Sequence, residues 1–350
     1  MGVREEKRKH PLGPGVRQAV AAALALTVLL FLLPLLTLQE APLYQGEESP
    51  PLQEEEPTLP IQRAAQAASA RDKGRVVRLL DKEGEVVSLT MAEYLWGVVA
   101  AEMPASFQEE ALKAQACAAR TYTVIQQSSQ KHSDADICAD SHCCQAYISR
   151  ETAEARWGLN AGEYGEKIER AVAETDGLGI LYQGEPIQAL FFSSAAGRTV
   201  DAVEVWGRSV DYLKSVDSPE GEEVPNYHSQ VQLTAEEVRR LTLDAWPGAD
   251  LSGSPKTWFQ DVQRSESGVV TSLSLGGVSL TGGQVRSLLS LRSAAFSVEW
   301  DGEQFCFDVT GYGHGVGMSQ YGANSMAKEG KTFQEILTWY YTNTQVDHLW

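Results

Sequence analysis

The 350-residue chain carries 29 Lys and Arg against 47 Asp and Glu, a net charge of −18, with 43% hydrophobic and 22% charged residues. This composition supplies at least one large core, excludes disordered and collagen-like chains, and argues against nucleic acid as a partner, which needs clustered Lys and Arg. Five cysteines are too few for a disulfide-built scaffold, and their odd number leaves a thiol over or gives some of them to a metal.

Residues 19–38 form an uncharged apolar stretch, long enough at about 1.5 Å per residue to cross roughly 30 Å of hydrocarbon. Arg4, Lys7, Arg8, Lys9 and Arg17 precede it, so the positive-inside rule keeps residues 1–18 in the cytoplasm and puts the rest outside. The expected location is the cell membrane, with a single pass. A cleaved signal peptide is the competing reading, weakened by the length of the run and by the lack of an A-x-A-like site directly after it. Residues 39–73, rich in Pro, Gln and Glu, read as an acidic tether with too few large apolar side chains to fold.

Beyond the tether, Val76–Leu80 and Glu85–Leu89 read as a hairpin. Two helices follow, one opening on the capping-box spacing Thr90-x-x-Glu93 and stopped by Pro104, the next opening on Ser106-x-x-Glu109 and running through ALKAQACAARTYTVIQQ. A helix around Lys167–Thr175 leads into strand patterns GILYQ and PIQALFFSS. Segment 218–300 mixes a helix at Thr234–Leu241, the strand GVVTSLSL and turns at GGVSL and TGGQV; it shows no chemistry and reads as an insertion or a smaller second lobe. Strands SVEW and QFCFDVT, the turn GYGHGVG and a helix through QEILTWYYTN close the chain. The expected fold is α+β, with helices and short antiparallel strands around a groove.

Glu102 is the sharpest candidate for chemistry. It falls at a helix C-terminus, the negative end of the macrodipole, among Trp96, Val99 and Met103, and both surroundings disfavour a charged carboxylate. A carboxyl kept protonated suits a general acid, and an exposed helical glutamate is the plain alternative. Lys113 and Arg120 share one face of the next helix with Ala116 and Cys117 between them, forming either a ligand-binding cationic face or part of a solvated surface paired with Glu109. The alternating glycines of GYGHGVGMSQYGA allow close backbone approach around His314, which is either a groove residue or a packing histidine. His132, Cys138, His142, Cys143 and Cys144 crowd into thirteen residues and suit zinc or a disulfide, with metal preferred.

Taken together, EYLWGVVAAEMPASFQEEALKAQACAARTY, DICADSHCCQAY, FFSSAAGRTVDAVEVWG with YLKSV, GHGVGMSQYGA and EILTWYY resemble the stage II sporulation protein D family, related to amidase enhancers, over roughly residues 74–348. The resemblance implies a lytic transglycosylase acting on peptidoglycan glycan strands stripped of stem peptides during sporulation engulfment, alongside a cell-wall amidase and other engulfment membrane proteins. It puts the catalytic glutamate of an E-M-P motif at Glu102 and glycan contacts at Lys113 and Arg120; Ser194, His314, Gln320 and Tyr321 of the later motifs join the expected substrate-binding set. A zinc-binding loop known from some members maps best onto His132, Cys138 and Cys144, with Cys143 and His142 leaving the ligand set open. The rival readings are a non-catalytic amidase enhancer and an engulfment-complex scaffold.

Overall fold

The computed structural model describes residues 70–129 and 131–350; the expected membrane span, and the tether up to residue 69, lie outside them. Among the described residues no helix is long and apolar enough to cross a membrane. The architecture is α+β.

A short helix α1 (Ala70–Lys73) precedes the antiparallel hairpin of β1 (Val76–Leu80) and β2 (Val86–Thr90). Asp81 closes the hairpin turn, its Oδ1 accepting from the backbone N–H groups of Glu83 and Glu85 at 3.0 and 2.8 Å. Helix α2 (Met91–Glu102) opens on the expected capping box: Glu93 N–H donates to Thr90 Oγ1, and Thr90 N–H donates to Glu93 Oε2 at 2.8 Å. It ends where Met103, forced extended ahead of Pro104, turns the chain.

Helix α3 (Glu109–Ser129) starts two residues later than a Ser106 cap predicts. Its first turn is held from outside the helix: Asn324 accepts the Gln108 N–H at 2.9 Å, and the Glu109 carboxylate pairs with Arg170 rather than folding back on Ser106. Ala111, Ala114, Ala116, Ala118 and Ala119 are all buried, and these small side chains let neighbouring helices approach α3 from several directions. Helix α4 (Arg150–Trp157, missed by the sequence pattern) packs on α2 and on α5 (Ala161–Glu174), while α2, α5 and the late helices described below pack around α3. β3 (Ile137–Cys138) pairs in parallel with β1, so the wall is not wholly antiparallel as expected.

Next come β4 (Leu178–Tyr182), β5 (Glu185–Pro186), β6 (Phe191–Phe192) and α6 (Ala202–Trp206). A second hydrophobic cluster follows, built on two antiparallel three-stranded sheets. These comprise β7 (His228–Thr234), β8 (Phe259–Arg264), β9 (Val270–Leu275), β10 (Val278–Leu280), β11 (Phe296–Trp300) and β12 (Gln304–Thr310), with helices α7 (Ala235–Ala245) and α8 (Gly282–Leu288). Trp258, Phe296, Phe305 and Phe307 fill this core, which reaches Val309 and so runs beyond residue 300. TGGQV is not a turn: Thr281 caps α8 in a capping box with Gln284, and a Cβ on Gly282 would come within 2.0 Å of the Val270 carbonyl oxygen, so the helix docks only without a side chain there.

The chain returns to the first cluster through β13 (Met318–Ser319), parallel to β6, then α9 (Gln320–Lys328), α10 (Phe333–Tyr340) and β14 (Gln345–His348), antiparallel to β4. Residues far apart in sequence thereby meet on one side of α2.

Candidate functional site

Glu102 is the last residue of α2 and lines a cleft of about 650 Å³, within the size range of small-ligand sites. Burial pushes its carboxyl above the usual glutamate range; the Ala146 N–H and the Gln320 side chain draw it partly back, and no cation contributes. Ala146 N–H donates to Glu102 Oε1 at 2.6 Å.

Segment 144–148 is held against α2 by contacts on both sides of that bond. Gln145, buried, donates to Tyr94 Oη at 2.8 Å and to Thr123 Oγ1 at 3.0 Å. The Tyr147 ring stacks on Tyr94 with centroids 5.9 Å apart and planes 3° from parallel, and Ile148 N–H reaches the Gly97 carbonyl. Gly97 makes this approach feasible, because a Cβ there would sit 2.3 Å from the Tyr147 ring. The glycine that the sequence shows inside EYLWGVV is thus what lets the loop lay its amide on Glu102.

The opposite wall comes from Ala189–Ser193 and from the glycine-rich turn. Gly317 has φ +81°, and a Cβ on it would lie 2.1 Å from the Leu190 carbonyl oxygen, so only glycine fits where β13 meets the strand before it. His314 lines the cleft, with Nε2 against the Phe191 carbonyl at 3.1 Å and Nδ1 accepting the Val316 N–H; burial brings its pKa down to about 4, so the imidazole is neutral. Gln320, first residue of α9, is positioned by the Ser319 cap and reaches Gln115 of α3.

The expected glycan contacts divide. His314 and Gln320 line the cleft beside Glu102, whereas Lys113, Arg120, Ser194 and Tyr321 do not. Arg120 is fully buried, its guanidinium donating to Asp72 of α1, with the shortest bond 2.6 Å, and to the Leu178 carbonyl at 2.8 Å. Lys113 lies between Glu110 and Glu174 at 2.7 and 2.6 Å. The shared helical face expected from sequence is real, but it turns into protein and toward acids, and this corrects the reading of it as a glycan surface. Ser194 is buried and pairs through its backbone with Tyr312. Tyr321 packs edge-on to Phe107, centroids 5.0 Å apart.

Among the cleft residues that sequence reasoning missed, three bear on its chemistry. Ala146 acts through a backbone amide that no residue type advertises. Tyr312, 43% exposed, stood inside the glycine motif and passed as turn. Arg286 comes from α8, in the region assigned no chemistry; an arginine following TGGQV at helical spacing was the signal available.

His132, Cys138, Cys143 and Cys144 place one donor atom each within 4.8 Å of one another. His132 Nε2 lies 3.3 Å from Cys144 Sγ and 3.8 Å from Cys143 Sγ, and the two sulfurs are 3.9 Å apart. A tetrahedral zinc with ordinary bond lengths needs edges of about 3.6 and about 3.8 Å, so the donors fit. Cys143, left open by the sequence, completes the set. His142 does not join it; its ring is largely exposed beside Asp140 and lines the cleft. All five cysteines are free thiols. Cys144 stands two residues from the amide that binds Glu102.

Comparison with known proteins places this geometry in context. A family model described as "Stage II sporulation protein" matches residues 81–182, from the hairpin turn through Glu102 and the Cys/His loop to β4. The chain is 39% identical over 264 residues to stage II sporulation protein D of Bacillus subtilis, covering 75% of each chain. It is 36% identical to the stage II sporulation protein D of Bacillus amyloliquefaciens over the same share of both. A Bacillus subtilis amidase enhancer is 28% identical across 71% of this chain and 40% of its own length.

Proposed function

Because the chain belongs to the stage II sporulation protein D family, we propose that it is a peptidoglycan lytic transglycosylase of sporulation, acting on the glycosidic bond between N-acetylmuramic acid and N-acetylglucosamine in strands freed of stem peptides. The observation that carries this reading is a single half-buried carboxyl, Glu102, facing the cleft with no cation close enough to lower its pKa.

Protonated Glu102 donates to the glycosidic oxygen while positive charge develops at C1 of the muramic acid. The carboxylate left behind accepts the proton of the C6 hydroxyl, whose oxygen closes on C1 to give the 1,6-anhydro ring. Proton donor and acceptor are the same group, so no water is consumed. Glycoside hydrolysis needs a second carboxyl to activate water or to attack the sugar, and Glu102 is the sole carboxylate among the residues lining the cleft. The Ala146 N–H fixes Oε1 and becomes a stronger partner once the carboxyl ionises, stabilising the intermediate state of the catalyst. Neutral His314 supplies no competing proton at neutral pH.

Zinc held by His132, Cys138, Cys143 and Cys144 would act as a structural clamp, fixing the start of the segment that bears Ala146. Elemental analysis is expected to find about one zinc per chain, lost in Cys138→Ser and in Cys143→Ser. The membrane anchor at 19–38, and a cell-wall amidase that strips the strand first, belong to the same proposal.

The test is mass spectrometry of peptide-free glycan after incubation with the purified protein. Ends lighter than reducing ends by one water are expected, and none from a folded Glu102→Gln variant. Reducing ends would make the enzyme a hydrolase. No cleavage, with amidase stimulation retained in Glu102→Gln, would assign the protein the enhancer role.

A further inference from the structure

The cleft brings together one half-buried carboxyl and one guanidinium, and nothing in the mechanism uses the second. Arg286, on α8, is the only lysine or arginine among the residues lining the cleft. Its Nε donates to the Arg292 carbonyl at 3.1 Å, which fixes the plane of the group, while its two terminal nitrogens have no hydrogen-bond acceptor and no carboxylate within ion-pair distance among the described residues. In a chain with 18 more acidic than basic side chains, a half-buried arginine with no acid beside it is conspicuous. Nearby, Arg292 also lacks an acid partner; its guanidinium covers one face of the Tyr312 ring at 4.1 Å, and its Nε is buried with no acceptor. The α8 side of the cleft that Glu102 also lines is therefore a cationic corner, on a helix whose docking is fixed by Gly282.

From this arrangement we propose that Arg286 is a specificity-determining residue that binds a carboxylate on the substrate, namely the lactyl carboxylate of N-acetylmuramic acid. The inference rests on the glycan reading above. On a strand of N-acetylated sugars every other substituent is neutral. The lactyl group ionises only where no stem peptide is amide-linked to it, so a guanidinium with both terminal nitrogens free distinguishes stripped from peptide-bearing sugars by forming a two-pronged, charge-assisted pair with the former alone. With an amide in that place the fork loses its anionic acceptor and stays partly desolvated, which discriminates against the wrong substrate as well as favouring the right one. The second cluster, which showed no chemistry in sequence, thereby contributes substrate selection to a catalytic group carried by the first.

The test is binding, measured by calorimetry on the full-length protein in the non-cleaving Glu102→Gln background, with two muramic-acid-containing tetrasaccharides: one with free lactyl carboxylates and one with the same carboxylates converted to methylamides. The free acid is expected to bind tighter by about tenfold or more, as a charge-assisted pair allows. Adding Arg286→Gln, which keeps a donor for the Arg292 carbonyl, should abolish the preference by weakening the free acid alone, and Arg286→Lys should restore part of it. Circular dichroism confirms that each variant is folded. Preference surviving in Arg286→Gln overturns the assignment while leaving the glycan reading intact. A background protein that binds neither tetrasaccharide overturns the glycan reading, and the assignment with it.

Discussion

Two carboxylates drawn out of water meet different partners in this molecule. Asp72 and Arg120 are both fully buried, and the carboxylate is met by a guanidinium and by the Gly177 N–H. Burial raises the Asp72 pKa, and the guanidinium draws it partly back. Glu102 has only a backbone amide and a carboxamide, and burial goes largely unopposed. An ion pair this enclosed is an anchor, tying α1 to α3 and to the turn before β4. A carboxyl with neutral partners at the edge of a cleft holds its proton to higher pH than an ordinary glutamate does.

The largest expected effect breaks the first half of this contrast. Arg120→Met leaves Asp72 buried without its cation and should cost about 3–5 kcal/mol of stability in denaturant unfolding. If Arg120 instead served the glycan, stability would hold and only substrate binding would weaken. Next is Gly97→Ala, whose Cβ would collide with the Tyr147 ring. It should cost about 1–3 kcal/mol and lower activity by displacing the Ala146 amide; unchanged activity would mean that this amide does not matter.

The legibility of the molecule in its sequence divides along similar lines. The hairpin, the α2 capping box, the α7 helix and the Pro104 stop were readable because each is decided by neighbours close in sequence. The helix end at Glu102 was readable because the stop that follows it is local too, whereas the cleft around its carboxyl is built by distant segments. Arg120 was misread because the same spacing serves a ligand face or a buried pair, and Asp72, the residue that decides between them, lies 48 positions earlier. The start of α3 was misplaced for an equivalent reason, since the group satisfying its first turn, Asn324, is 216 positions away. Arg286 and Ala146 reach the cleft only through tertiary packing, and the fourth ligand of the Cys/His cluster, Cys143, could not be chosen by spacing alone.

A smaller effect sharpens the second half of the contrast through pH. Below the unfolded-state pKa of glutamate, Glu102 is protonated in both states and contributes no difference. Between that value and the raised folded-state value, the unfolded chain releases a proton that the folded one retains, so stability falls as pH rises and levels off above the folded value. Glu102→Gln removes this dependence. The stability of the wild type relative to the variant should therefore decline with rising pH across that window, as read from paired unfolding curves; a difference that grows with pH would reverse the sign and place a hidden cation near Glu102.

The smallest effect is expected at Lys113→Met, which leaves Glu110 and Glu174 at a partly exposed site. About 1 kcal/mol or less is expected, with turnover unchanged because the side chain is not in the cleft. Lost turnover at full stability would return Lys113 to the catalytic machinery.

The central claim is that Glu102 holds its proton where an ordinary glutamate has lost it. The direct measurement is a carbon-13 NMR titration of the Glu102 side-chain carboxyl in the folded protein, assigned by comparison with Glu102→Gln. The account predicts a midpoint above the ordinary glutamate range. A midpoint at or below that range would contradict it.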